Sequence, residues 1–159
     1  MIYFDNAATT RAADEVAEKV KHMLLENFGN PSSQSMMGVN AEKEMNEARK
    51  IMAQSINALP EEIYFTSGGT EDDNWAIFGT AEGYIRSGKH MITTSIEHPA
   101  VLMPMRHLEE KGWDITILDV DESGYIDIEK LKAAVREDTV LVSTILINNE
   151  TGTIQNAAE

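Results

Sequence analysis

Between residues 63 and 147, four apolar runs alternate with stretches of helical pattern. That alternation constrains the fold more than any other feature of the 159-residue chain. Residues 63–66, 90–94, 113–119 and 139–147 are rich in β-branched, aromatic or other apolar side chains and suit strands. Helices are expected from Thr70 to about Ser87-Gly88, from Glu97-His98-Pro99-Ala100 to Lys111-Gly112, and from Asp127 to Arg136. Such a series predicts an α/β fold, a mostly parallel sheet with flanking helices and right-handed crossovers. An N-terminal helical segment precedes it. One helix starts near Asp14, with Val16, Val20, Met23 and Leu24 at helical spacing. A second is expected from about Val39 to Asn57, burying Ala41, Met45, Ala48, Met52 and Ile56. Residues 2–4 read as a short strand or extended piece.

In a parallel sheet, ligands bind beyond the carboxyl ends of the strands. Three segments fall there: Gly68-Gly69-Thr70, Glu97-His98-Pro99 and Asn148-Asn149-Glu150. In the first, two glycines break the strand pattern, Thr70 reads as a helix N-cap, and Glu71, Asp72 and Asp73 suit a helix start. Free N–H groups and the helix dipole would make this an anion site, although the same residues also suit an ordinary strand-to-helix turn. His98 alone reads equally as a surface histidine capping a turn, and Asn149 as a loop asparagine satisfying its own backbone. A dinucleotide site is discounted because no ribose-binding acid follows at the expected place. His22, His90 and His107 are expected to be structural or exposed.

Charge and composition exclude other functions. The net charge is -14, with 27 acidic against 13 basic residues and no basic cluster, so nucleic acid and anionic membrane surfaces are not expected partners. There is no cysteine, which removes disulfides and thiolate metal sites. Asp114, Asp119, Asp121 and Glu122 lack EF-hand spacing, and no metal site is expected. No signal or membrane-spanning pattern stands out, so a cytoplasmic location is expected.

Five motifs, in order along nearly the whole chain, resemble the NifS-like cysteine desulfurases, pyridoxal 5′-phosphate (PLP) enzymes of the class-V aminotransferase group with fold-type I architecture. They are Tyr3-Phe4-Asp5-Asn6-Ala7-Ala8-Thr9-Thr10, Gly29-Asn30-Pro31-Ser32-Ser33, Phe65-Thr66-Ser67-Gly68-Gly69-Thr70-Glu71, Glu97-His98-Pro99-Ala100-Val101 and Asn148-Asn149-Glu150-Thr151-Gly152-Thr153-Ile154-Gln155. The resemblance implies that Gly69 and Thr70 hold the cofactor phosphate. It implies that His98 stacks on the pyridine ring and shuttles protons as the catalytic residue. Asn149 would sit by the ring hydroxyl and the substrate carboxylate, and Asn6, Ala7 and Ala8 would line the substrate pocket. Glu150 and Gln155 would hold their loop. Residues 1–14 would be an arm joining a small domain, and residues 15–159 the first part of the PLP-binding large domain.

The resemblance has gaps. Ser35 stands where the family usually has a histidine. The pyridine-pairing aspartate, the Ser-x-His-Lys lysine, the sulfur-accepting cysteine and the substrate-binding arginine have no counterparts in the 159 residues. The eight lysines present occupy no such motif. The expectation is therefore an N-terminal fragment of an enzyme that converts L-cysteine to L-alanine and an enzyme persulfide, supplying sulfur for iron-sulfur clusters and thio-cofactors. Alone it would be inactive and would not necessarily retain PLP. The implied partners are a second copy or a complementing C-terminal half, and a sulfur-acceptor scaffold protein for the full enzyme. Another class-V enzyme such as a selenocysteine lyase, or an inactive truncated interaction module, remains the alternative.

Overall fold

Asp14 and Ser35 start the first two helices of the computed structural model, which describes residues 2–157; residues 1, 158 and 159, the outer ends of the expected domain division, lie outside them. The chain divides into two compact units, one ending at Phe65 and the other starting at Thr66.

In the first unit, residues 2–4 join no ladder and lead into a turn, where the Asp5 carbonyl accepts the amides of Ala8 and Thr9. Helix α1 spans Asp14–Leu25 and α2 spans Met36–Ser55. The second helix starts three residues before the expected Val39 because the Ser35 hydroxyl accepts the Gly38 amide at 3.2 Å, a side-chain N-cap. It ends before Asn57, whose φ of 55° is left-handed. The expected buried stripe is not formed: Ala41 is buried, but Met45, Ala48, Met52 and Ile56 are exposed. Periodicity specifies an apolar stripe, but burial also needs a layer to cover it. Lys19 on α1 pairs with Glu44 on α2 at 2.6 Å, and Arg49 donates to the Ile63 carbonyl while lying over the Phe65 ring.

In the second unit, helix α3 (Gly69–Tyr84), strand β1 (His90–Thr94), helix α4 (Pro99–Glu110), strand β2 (Asp114–Leu118), helix α5 (Ile128–Ala134) and strand β3 (Thr139–Val142) alternate as expected. The sheet is parallel, in the order β2-β1-β3. All five residues of β1 are buried. Ile77 and Ala81 of α3, Met91 of β1, and Val101, Met105 and Leu108 of α4 form the core with Trp113. At burial values near 25 cal/mol per Å² of apolar surface, packing of this kind is the main force holding a sheet to its helices.

Two expected strands differ. Residues 63–66 form no strand, because extended backbone becomes a strand only when a neighbour supplies a ladder, and none of β1, β2 or β3 does so. The last strand stops at Val142 rather than Ile147. Ser143 makes one more bond, to the Ile92 carbonyl, and the chain then leaves the sheet. Helix α3 ends at Tyr84 with Ile85 as its C-cap, short of the expected Ser87-Gly88, and Gly88 instead permits a contact: a Cβ there would lie 2.0 Å from the Asp138 carbonyl oxygen.

Of the two roles expected for His90, structural or exposed, the fold gives it the first. It is fully buried at the amino end of β1, with Nδ1 2.7 Å from the Thr139 hydroxyl of β3 and Nε2 2.8 Å from the Thr116 hydroxyl of β2. One ring thus ties all three strands. Burial holds its pKa below the ordinary histidine range and Arg136 adds to this, while Asp114 and Asp138 oppose it.

Candidate functional site

The N-termini of α3 and α4 both lie at the carboxyl end of the sheet region, where the sequence pointed. Gly68, not Thr70, is the N-cap of α3. Its φ of 154° and ψ of 173° belong to a region essentially reserved for glycine. Thr70 is therefore the second helical residue. The carbonyl of Gly68 accepts the amides of Glu71 and Asp72. The Glu71 carboxylate turns back to accept both the amide and the hydroxyl of Ser67 at 2.7 Å, and these two bonds lower its pKa, the amide first. Among the described residues, no acceptor engages the amides of Gly69 and Thr70 or the Thr70 hydroxyl. A Cβ on Gly69 would enter open space. Three exposed donors at the start of a 16-residue helix form a donor set that fits a phosphate.

His98 is the N-cap of α4, and its Nδ1 accepts the Ala100 amide at 3.1 Å. That bond leaves Nε2 to carry the proton of the neutral ring. The turn-capping role thus engages one ring nitrogen of an exposed side chain. His98 and Thr70 line one groove of about 480 Å³ together with Asn74, Phe78, Met103 and His107.

Asn74 is a site-shaping residue that none of the motifs singles out. Its Nδ2 donates to the Thr70 carbonyl at 2.8 Å and lies 3.4 Å from the Ala100 carbonyl. The signal for it is Pro104, which sits inside α4 without an N–H. Its missing donor leaves the Ala100 carbonyl, four residues back, without its helical partner, and Asn74 reaches that oxygen from α3.

Beyond β1 and β3, the loops carrying His98 and Asn149 are joined. Glu97 is buried, and its Oε1 accepts from the Thr94 hydroxyl and the Ile145 amide. Burial pushes its carboxyl pKa up, the two hydrogen bonds counter this, and Asp73 pushes it further up. Asn148 is buried and donates to the Ile96 carbonyl. Asn149 is exposed and gives its amide to Glu150, so the asparagine satisfying loop backbone is Asn148. Glu150 keeps its expected place in that loop. Gln155 closes that loop through its amide on the Leu146 carbonyl, and its side chain also holds the loop after β2, accepting the Ile126 amide and donating to the Gly124 carbonyl. Asn149 and Gly69 do not line the groove shared by Thr70 and His98. Asn6, Ala7 and Ala8 lie in an exposed turn of the first unit. Asp114 pairs with Arg136, and Asp121 caps the turn at Ser123 and Tyr125. No group of three metal-ligating side chains gathers among the described residues, and none of their helices is long and apolar enough to cross a membrane.

Residues 2–159 match the family model for aminotransferase class-V proteins. The chain belongs to the class-V aminotransferase family. Among class-V relatives, it is 52% identical over 156 residues to cysteine desulfurase IscS of Neisseria gonorrhoeae, covering 98% of this chain and 39% of that protein. Cysteine desulfurase IscS of Methanosarcina thermophila is 48% identical over 158 residues, covering 99% of this chain and 39% of the relative. A solved structure described as a NifS-like protein superposes with a TM-score of 0.94 at 43% identity, covering 98% of this chain and 43% of the other. This class-V chain thus matches the N-terminal part of cysteine desulfurases and spans about two fifths of the relatives' length.

Proposed function

We propose that this chain forms the N-terminal part of the cofactor site of a PLP-dependent cysteine desulfurase that takes L-cysteine to L-alanine and leaves an enzyme persulfide, as sulfur supply for iron-sulfur clusters and thio-cofactors. The observation that carries this reading is the groove shared by Thr70 and His98, flanked by the unengaged amides of Gly69 and Thr70, in a chain of this family. Gly69 and Thr70 hold the phosphate through two N–H groups and a hydroxyl. Bound PLP supplies an electron sink for carbanion chemistry at the substrate. His98 is the catalytic residue. With Nδ1 fixed by Ala100, its imidazole would lie against the bound cofactor and its Nε2 would move a proton. Asn149 serves the cofactor's ring hydroxyl and the substrate carboxylate, while Asn6, Ala7 and Ala8 leave room for a small amino acid.

The chain by itself is catalytically silent, since its 159 residues include no cysteine to accept sulfur and no lysine in a Ser-x-His-Lys setting. Residues 1–14 form an arm of a small domain, and residues 15–159 belong to the large domain. The working form is cytoplasmic and pairs with a second copy or a complementing C-terminal half, passing sulfur to a scaffold protein.

A chimera tests this reading, with the chain replacing the matching segment of the Neisseria protein. Conversion of L-cysteine to L-alanine is expected. A folded chimera that binds PLP but leaves L-cysteine untouched would refute the proposal, and activity on L-selenocysteine alone would make it a lyase.

A further inference from the structure

His98 and Asn149 stand on two different loops, and the side chain next to each of them helps bind those loops to each other. Glu97, 7% exposed, accepts the amide of Ile145, 48 residues away, at 2.6 Å, and the Thr94 hydroxyl at 2.8 Å. Asn148, 6% exposed, donates from Nδ2 to the Ile96 carbonyl at 2.9 Å. Its Oδ1 accepts the amides of Glu150 and Thr151 at 3.0 and 2.9 Å and the Thr151 hydroxyl at 3.1 Å, which shapes the turn that carries Asn149. The His98 loop therefore accepts two hydrogen bonds from the Asn149 loop, one at a side chain and one at a backbone carbonyl. Breaking either bond strands a buried polar group, which is why such a pair holds one geometry. Among the described residues Asn149 has no comparable anchor of its own: it is exposed, and its amide reaches the adjacent Glu150.

We propose that Glu97 and Asn148 are positioning residues that hold the Asn149 loop against the His98 loop, and so set where Asn149 meets the cofactor. This rests on reading that edge of the sheet as the PLP site. Neither residue is assigned a contact with cofactor or substrate; both act through their neighbours.

The test uses the ¹⁵N-labelled chimera and pyridoxamine 5′-phosphate, which offers phosphate and ring hydroxyl without an aldehyde to react with lysines. Amide exchange at residues 145–152 reads the clamp. Shifts of the Gly69, Thr70 and Asn149 signals read the ligand. Asn148→Asp keeps the oxygen that shapes the turn but sets an acceptor against the Ile96 carbonyl. Glu97→Leu removes the acceptor for Ile145, whereas Glu97→Gln keeps it. Asn148→Asp and Glu97→Leu are expected to speed exchange across 145–152 about tenfold, since each removes one buried hydrogen bond between the loops. They should abolish the Asn149 response while sparing those of Gly69 and Thr70, and Glu97→Gln should behave as the parent. If Glu97→Leu does not fold, Asn148→Asp and Glu97→Gln still decide. Parent-like exchange and response in Asn148→Asp would overturn the proposal. A parent that responds at Gly69 and Thr70 but not at Asn149 would overturn the positioning role alone. A parent that responds at none of the three would overturn the cofactor reading and the proposal with it.

Discussion

Replacing His90 by leucine should unfasten the sheet. Leucine keeps much of the volume, so the loss is mainly polar: two hydrogen bonds, at 2.7 Å to Thr139 and 2.8 Å to Thr116, disappear. Each is worth about 1 kcal/mol. The Thr116 hydroxyl loses its partner inside a half-buried strand, and the Thr139 hydroxyl keeps only the Arg136 amide. Together these predict a loss of about 2–4 kcal/mol, read by urea unfolding with Trp113, in the same core, as the fluorescent probe. Thr116→Val should be worth less in the His90→Leu background than alone, or even recover stability, because the orphaned hydroxyl is then gone. A coupling of about 0.5–3 kcal/mol is expected. The pH dependence follows from the same burial. A histidine whose folded pKa is depressed contributes stability that is fully present above its unfolded pKa, about 6.5. That stability is lost as pH falls from there toward the folded value. Glu97 runs the other way. Its raised carboxyl contributes stability that is full below its unfolded pKa and lost as pH rises through the folded one. Comparing parent with His90→Leu isolates the histidine slope below pH 6.5. A variant within about 0.5 kcal/mol of the parent, or strictly additive with Thr116→Val, would refute the strand-tie argument.

Other outcomes follow from the same geometry. Gly88→Ala should destabilise the second unit by about 2 kcal/mol or more, measured by the same unfolding, because its Cβ would meet the Asp138 backbone at 2.0 Å. Thr70→Ala should weaken binding of pyridoxamine 5′-phosphate by about 1.5–3 kcal/mol, one hydrogen bond to a charged group; an unchanged titration would remove Thr70 from the phosphate site. In the chimera, His98→Gln should slow turnover by roughly 10²–10⁴-fold with little change in melting temperature, and turnover near the parent's would leave His98 only its capping role.

Local chemistry is legible in the amino-acid sequence itself. The helix starts at His98 and Asp127 follow from side chains capping their near neighbours, so residue order alone sets them within a residue or two. Glycines with an acidic first turn likewise locate the α3 terminus, although the cap falls on Gly68. What the tertiary structure decided depends on partners far along the chain. Residues 63–66 have strand composition but no ladder, and Met45, Met52 and Ile56 have helical spacing but stay exposed, since pattern cannot supply the covering layer. His90 belongs to no motif, yet two threonines, 26 and 49 residues away, close on its ring. The links of Asn74 to Ala100 and of Glu97 to Ile145 are equally non-local. Residue type fixes how many hydrogen bonds a buried polar group needs, but only the folded chain determines which groups provide them.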